Sequence, residues 1–165
     1  LRTDISSAKH DWEQTCYVPS EDVLALHISA LVDCAFASIG SEDPCALVFR
    51  EFLKLESTFT AFQGLPISKE RRYFAKSGRL RCHHLYWPED AIRNPSCLDW
   101  KRRLAALNQE GGEGCLLGQW AEQITGKLGG YWSVDFAQKD SGRWVLIDMA
   151  EGERSWHPEH KGEVK

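Results

Sequence analysis

The sequence predicts an α+β domain in which an antiparallel sheet built from hairpins packs against helices. Two strand-like segments flank a Ser-Gly turn signal at Ser77-Gly78, and two more flank Ser141-Gly142. Helix-period apolar positions recur over 20–38, 99–109 and 115–128. The strands arrive as hairpins and do not alternate strictly with helices, which separates this order from a parallel βαβ fold.

A chain of 165 residues suits one compact domain or two small lobes sharing a core. Hydrophobic residues make up 42% and charged residues 27%, an ordinary globular balance that argues against disorder. The net charge of −4 lacks the basic surplus of a broad nucleic-acid surface, so no nucleic-acid partner is expected. Cysteines stand singly at 16, 34, 45, 82, 97 and 115, which favours a reduced, cytoplasmic chain over a disulfide framework. No apolar run reaches the length of about 18 residues needed to span a bilayer, and no signal-peptide core is present, so no membrane partner is expected.

Residues 1–19 read as a short strand or loop ending near Pro19. Ser20 with Glu21 and Asp22 gives a helix start, an N-cap hydroxyl followed by first-turn acids. Gly40 to Pro44 is a loop and the best internal boundary. Residues 46–53 read as a buried strand, and Phe59 to Pro66 as irregular. The first hairpin then runs over 71–87, and counting outward from its turn places Arg72 opposite His83. After the two later helices comes the second hairpin, Tyr131–Ala137 and Arg143–Met149. A two-residue turn there would pair Asp140 with Arg143 and set Asp135 opposite Asp148.

That pair is the most informative feature of the chain. Like charges directly opposite on a ladder are destabilising, and a hard divalent cation bound by carboxylate oxygens would relieve them. Val134, Phe136, Ile147 and Met149 alternate with the acids and should face a buried side. Glu151 and Glu153 extend the acidic exit. Lys9 and Arg72 are candidate phosphate contacts, a point charge and a planar fork. Glu51, at a strand end, could accept from a ligand hydroxyl or amine. Cys82-His83-His84 and His157-x-x-His160 match no closed structural zinc set, and no HExxH helix is present, which argues against zinc.

Together these segments resemble the ATP-grasp superfamily, and more narrowly a bacterial and phage clade of it known for an arginine and two lysines. Residues 46–56 resemble the hinge strand that holds adenine by its backbone; the resemblance implies a nucleotide-binding set of Arg50, Glu51, Phe52 and Glu56, with Glu51 or Glu56 facing the nucleoside. Glu70-Arg-Arg-Tyr-Phe with Gly78-Arg-Leu-Arg-Cys-His-His resembles the hairpin whose arginine, here Arg72, reaches phosphate. The second hairpin resembles the last two metal-bearing strands, implying Asp135, Asp148 and Glu151 as ligands, and Ser7-Ala-Lys9-His resembles the segment supplying a phosphate-contacting lysine. Ala150 stands where the family usually has Asn, and Ser6 where a second lysine is expected.

The fold implied is ATP-grasp-like without a full N-terminal substrate lobe: 1–45 a remnant of the small lobe, 46–165 the large lobe with the nucleotide and metal site. The function implied is an ATP-dependent ligase joining a small-molecule or peptide carboxylate to an amine through an acyl-phosphate, with ATP and magnesium (Mg2+) as cofactors and Arg72 and Lys9 catalytic. Two other classes stay open: a nucleotide-binding module without turnover, and an interaction domain whose acids are merely solvated.

Overall fold

The computed structural model describes residues 1–4, 8–37 and 44–157, so Ser6 and His160 lie outside the described residues. Near the N-terminus, β1 (Arg2–Thr3) pairs antiparallel with β2 (Leu47–Val48). Between them a 3-10 turn, Glu21–Val23, leads into α1 (Leu24–Ala37). Ser20 is extended at the helix start, but its hydroxyl does not make the expected cap hydrogen bond; Glu21 and Asp22 occupy the first turn, where the helix dipole favours acids. His27, Leu31 and Ala35 are the buried stripe of α1, spaced four apart on one face. The strand predicted over 46–53 shrinks to Leu47–Val48, because its only ladder partner among the described residues is the short β1. Beyond it Phe49 and Phe52 are exposed.

A hairpin replaces the irregular stretch predicted over 59–66: β3 (Ser57–Ala61) pairs with β4 (Leu65–Ser68). Its turn passes through positive φ at Phe62, Gln63 and Gly64. Phe and Gln carry no turn signature; the core holds Phe62 there, with its ring 5.8 Å from that of Trp87. Phe59, Phe62, Ile67 and Trp87 form one core with Leu104 and Leu107 of α2 (Trp100–Asn108).

The second core lies under a four-stranded antiparallel sheet of β5 (Glu70–Lys76), β6 (Arg79–Leu85), β7 (Tyr131–Gln138) and β8 (Trp144–Glu151), in the order β6-β5-β7-β8. Leu117 and Ala121 of α3 (Gly114–Leu128) pack on one face against Tyr73, Val134 and Phe136. The opposite face carries Arg72, Phe74, Ser133 and Asp135, adjacent in register. Gly78 is needed twice over: its φ is +81°, and a Cβ there would stand 3.2 Å from the Gly126 Cα of α3.

Two bulges decide what shares a face. On β6 the register shifts between Phe74↔Cys82 and Ala75↔Leu80, so Arg72 pairs with His84 and not, as predicted, with His83. On β8 the expected pairing of Asp135 with Asp148 is present, reached by another route. Lys139, not Asp140, pairs with Arg143 around a turn closed by Gly142 N–H on the Lys139 carbonyl at 2.8 Å. A bulge between Asp135↔Asp148 and Phe136↔Leu146 then restores the register. Neither irregularity is visible in a count along the sequence.

Candidate functional site

A cleft of about 1080 Å³ opens between the N-terminal segment, the stretch after β2, the start of β5 and the middle of β8. Its size suits a nucleotide. Trp12, Tyr17 and Phe52 form an aromatic cluster on its wall, with Phe52 5.1 Å from Tyr17 and 6.4 Å from Trp12 between ring centres. Toward β8 the lining turns charged. Asp148, its side chain 37% exposed, accepts from Arg2 at 3.0 Å and from Arg50 at 3.3 Å. Arg50 also donates to the Ile147 carbonyl at 2.6 Å.

The other acid of the pair is buried. Asp135 is 2% exposed and takes a two-pronged fork from Arg72, Nε to Oδ1 and Nη2 to Oδ2, each at 2.7 Å. Burial pushes the Asp135 carboxyl up, while the Arg72 guanidinium pulls it back down. The third party that opposed acids require is thus supplied by arginines in this structure. Arg72 also lies over the Tyr86 ring, 4.8 Å from its centre, and Lys9 approaches that ring at the same distance. Lys9 donates to Tyr86 Oη at 2.9 Å, and burial lowers its pKa despite the carboxylates around it.

Glu70 completes the floor of the cleft. Its Oε1 accepts from Ser68 Oγ at 2.7 Å and from Trp87 Nε1 at 3.1 Å. Burial nonetheless raises its pKa from 4.5 to about 7. Across that window the folded chain holds a proton that the unfolded chain has lost. This group's stabilising effect is therefore complete below pH 4.5 and is lost as pH rises to about 7. The shift corresponds to a loss of about 3 kcal/mol. Urea titrations at pH 5 and pH 8 should show Glu70→Gln losing less stability than the parent between the two. Equal losses would mean that the burial of Glu70 does not raise its pKa into that window.

The sequence-predicted residues separate into three groups. Lys9, Arg50, Glu51, Phe52 and Asp148 line the cleft. Arg72 and Asp135 lie beside it, joined to each other. Glu56 and Glu151 are elsewhere. The Glu56 backbone bridges Gln138 and Lys69, and its side chain does not line the cleft. Glu151 pairs with Trp132, three residues past Asp148, and that odd spacing sends it to the α3 face. Reading the sequence locally misses Arg2, Glu70 and Tyr86. The first two look like ordinary surface charges until the fold closes around them, and Tyr86 is one aromatic among many.

Magnesium commonly uses one or two carboxylates with phosphate oxygens and water, so the donors can be tested against that need. Asp148 fits, being cleft-facing with hard oxygens. Asp135 has the right chemistry, but each of its oxygens already accepts from Arg72. Ala150, next along the site face of β8, brings no side-chain donor atom.

Comparison with known proteins agrees with this architecture. A family model for the ATP-grasp domain, R2K clade family 3, matches residues 1–164. The chain belongs to that ATP-grasp family, whose general equipment is ATP and a divalent metal. It is also 34% identical over 84 residues to Protein X of hepatitis B virus genotype H (isolate Nicaragua/2928Nic/1997), covering 51% of this chain and 50% of that protein. Protein X of genotype F2 (isolate Senegal/9203) is 33% identical over 84 residues, with the same coverage. The chain thus spans about half the length of the curated relatives it matches. No solved structure matches it. Among the described residues no helix is long and apolar enough to cross a membrane.

Proposed function

We propose that the chain binds Mg-ATP in this cleft and uses it to join a small-molecule or peptide carboxylate to an amine through an acyl-phosphate. The observation that carries this reading is the division of one cleft into an aromatic wall at Trp12, Tyr17 and Phe52 and a charged end at Lys9, Arg2, Arg50 and Asp148. Membership of the ATP-grasp family supports it. The base would rest against the aromatic wall, with Glu51 available to a ribose hydroxyl or the amine of adenine. Lys9, with Arg2 and Arg50 once they turn from Asp148, would meet phosphate oxygens. When bound, magnesium would neutralise charge on the phosphates, held by Asp148 and by Asp135 if Arg72 yields it.

Arg72, released from Asp135 as that carboxylate turns to the metal, would place a positive charge near the transferring group. The carboxylate substrate attacks the γ-phosphorus and ADP leaves. The amine then attacks the acyl carbon, phosphate leaves, and the proton shed by nitrogen passes to ionised Glu70 or to water. No protein nucleophile is required.

A nucleotide-binding module without turnover is the second reading. It is favoured by Ala150 and by the occupation of Asp135 by Arg72. Calorimetric titration of ATP with and without magnesium, beside Asp135→Asn/Asp148→Asn, tests both. Magnesium-dependent binding that the double variant loses by about tenfold or more, corresponding to about 1.4 kcal/mol, is expected. ADP release on adding carboxylate and amine pools selects the ligase, and binding without ADP release selects the module. No nucleotide binding at all leaves the interaction-domain reading.

A further inference from the structure

Beyond the carboxylates, a second group of metal-ligating atoms converges on the same sheet face. The bulge in β6 that turns His83 away sets Cys82 and His84 together on the face of Phe74 and Arg72, two residues apart on one strand. The 3-10 turn at Gly152–Arg154 then leads the chain to Trp156 and His157 over that face. The His157 ring packs on Phe74 at 4.5 Å and on His84 at 4.6 Å. Its Nε2 stands 3.1 Å from Cys82 Sγ and 3.4 Å from His84 Nε2. One ligand atom from each of the three residues lies within 4.8 Å of the others.

We propose that Cys82, His84 and His157 form a zinc-class metal site that pins the segment after β8 onto β6. Zinc–sulfur bonds of about 2.3 Å and zinc–nitrogen bonds of about 2.0–2.1 Å, spread tetrahedrally, put neighbouring ligand atoms about 3.3–3.6 Å apart. Both distances from His157 Nε2 are close to those edges. The remaining edge, between Cys82 and His84, is at most 4.8 Å and needs to close by about 1.3 Å at most to reach a sulfur–nitrogen edge of about 3.5 Å. All three residues are half-buried, which leaves their side chains room to adjust. One thiolate with two imidazoles suits zinc or another borderline ion and not magnesium, which takes oxygen. The site is thus chemically separate from Asp148. Three protein ligands leave a fourth position for water or an added ligand.

The spacing escapes the familiar zinc patterns because it is a strand spacing. Cys-x-His puts both ligands on one face of a strand, whereas the usual helical signature places them a turn apart. The site also touches the nucleotide machinery. Arg72 Nη1 donates to the Trp156 carbonyl at 3.3 Å, one residue before His157, so a bound ion would steady the support of Arg72.

The test is to strip the chain with chelator and titrate it with cobalt(II), followed by zinc. Expected are one cobalt per chain, a thiolate-to-cobalt charge-transfer band in the near ultraviolet, tetrahedral visible bands, and displacement of all of them by zinc. Cys82→Ser should remove the charge-transfer band. His157→Ala, which lies outside the sheet and leaves its pairing intact, should weaken cobalt at least about tenfold. His83→Ala, on the opposite face, should titrate like the parent. A charge-transfer band that survives Cys82→Ser, an unchanged titration of His157→Ala, or no thiolate band at all overturns the site.

Discussion

Arg72→Ala is expected to cost the fold about 3 kcal/mol, the lower end of what breaking a buried ion pair removes. The reason is Asp135. At 2% exposure it cannot recover in water the two hydrogen bonds that the Arg72 fork supplies, so truncation strands a buried charge. Urea denaturation of the single variant and of Arg72→Met/Asp135→Asn separates the causes. The double variant should recover most of the loss, because it removes the orphaned charge and keeps much of the side-chain volume. Equal losses in the two would reassign Arg72 to packing on Tyr86. Under the proposed role, folded Arg72→Ala should also lose more affinity for ATP than for adenosine. Equal losses for both ligands would remove Arg72 from the phosphates.

The neighbouring arginine should be more costly still. Arg71 points to the other face, is 1% exposed, and donates to the carbonyls of Leu107 at 3.3 Å and Gln109 at 2.9 Å. Those carbonyls close α2, where a helix has no donors of its own. Arg71 also stands 3.1 Å from Glu113, itself only 9% exposed. Among the described residues, Glu113 Oε1 and Arg71 Nε lack well-aligned hydrogen bonds, so that pair acts through charge more than through geometry. Arg71→Ala removes the helix closure, opens a cavity and leaves Glu113 uncompensated, for an expected loss of about 4–5 kcal/mol. Adding Glu113→Gln should return part of it in a denaturation cycle. A loss for Arg71→Ala below about 1 kcal/mol would show that water replaces the guanidinium.

Arg71 and Arg72 are adjacent and identical in type, and nothing local in the sequence distinguishes them. Strand alternation sends them to opposite faces, and only the packing of α3 on one face decides which is structural and which is near the cleft. The acid pair was more legible. Counting outward from the expected turn set Asp135 opposite Asp148, and the pairing holds only because a shifted turn and a bulge, neither of them readable in the sequence, cancel. Val134 and Phe136 are buried as expected, whereas Ile147, in the β8 bulge and lining the cleft, and Met149 are only half-buried. Asp135 is buried too, because the chain after β8 and the Tyr86 region cover the site face.

By itself the sequence determined the helices, the two hairpins that turn at Ser-Gly, and the resemblance to an ATP-grasp domain, but not the β3–β4 hairpin. Those features depend on periodicity, turn chemistry and short-range order, which the sequence records directly. Only the tertiary structure decided that arginines neutralise the acids, that Glu70 is buried enough to hold its proton to about pH 7, and that Cys82, His84 and His157 meet. Each of these depends on a one-residue bulge or on burial by a distant segment. A single-residue slip exchanges the faces of a strand, and burial changes the cost of a charge, so neither can be settled before the chain has closed on itself.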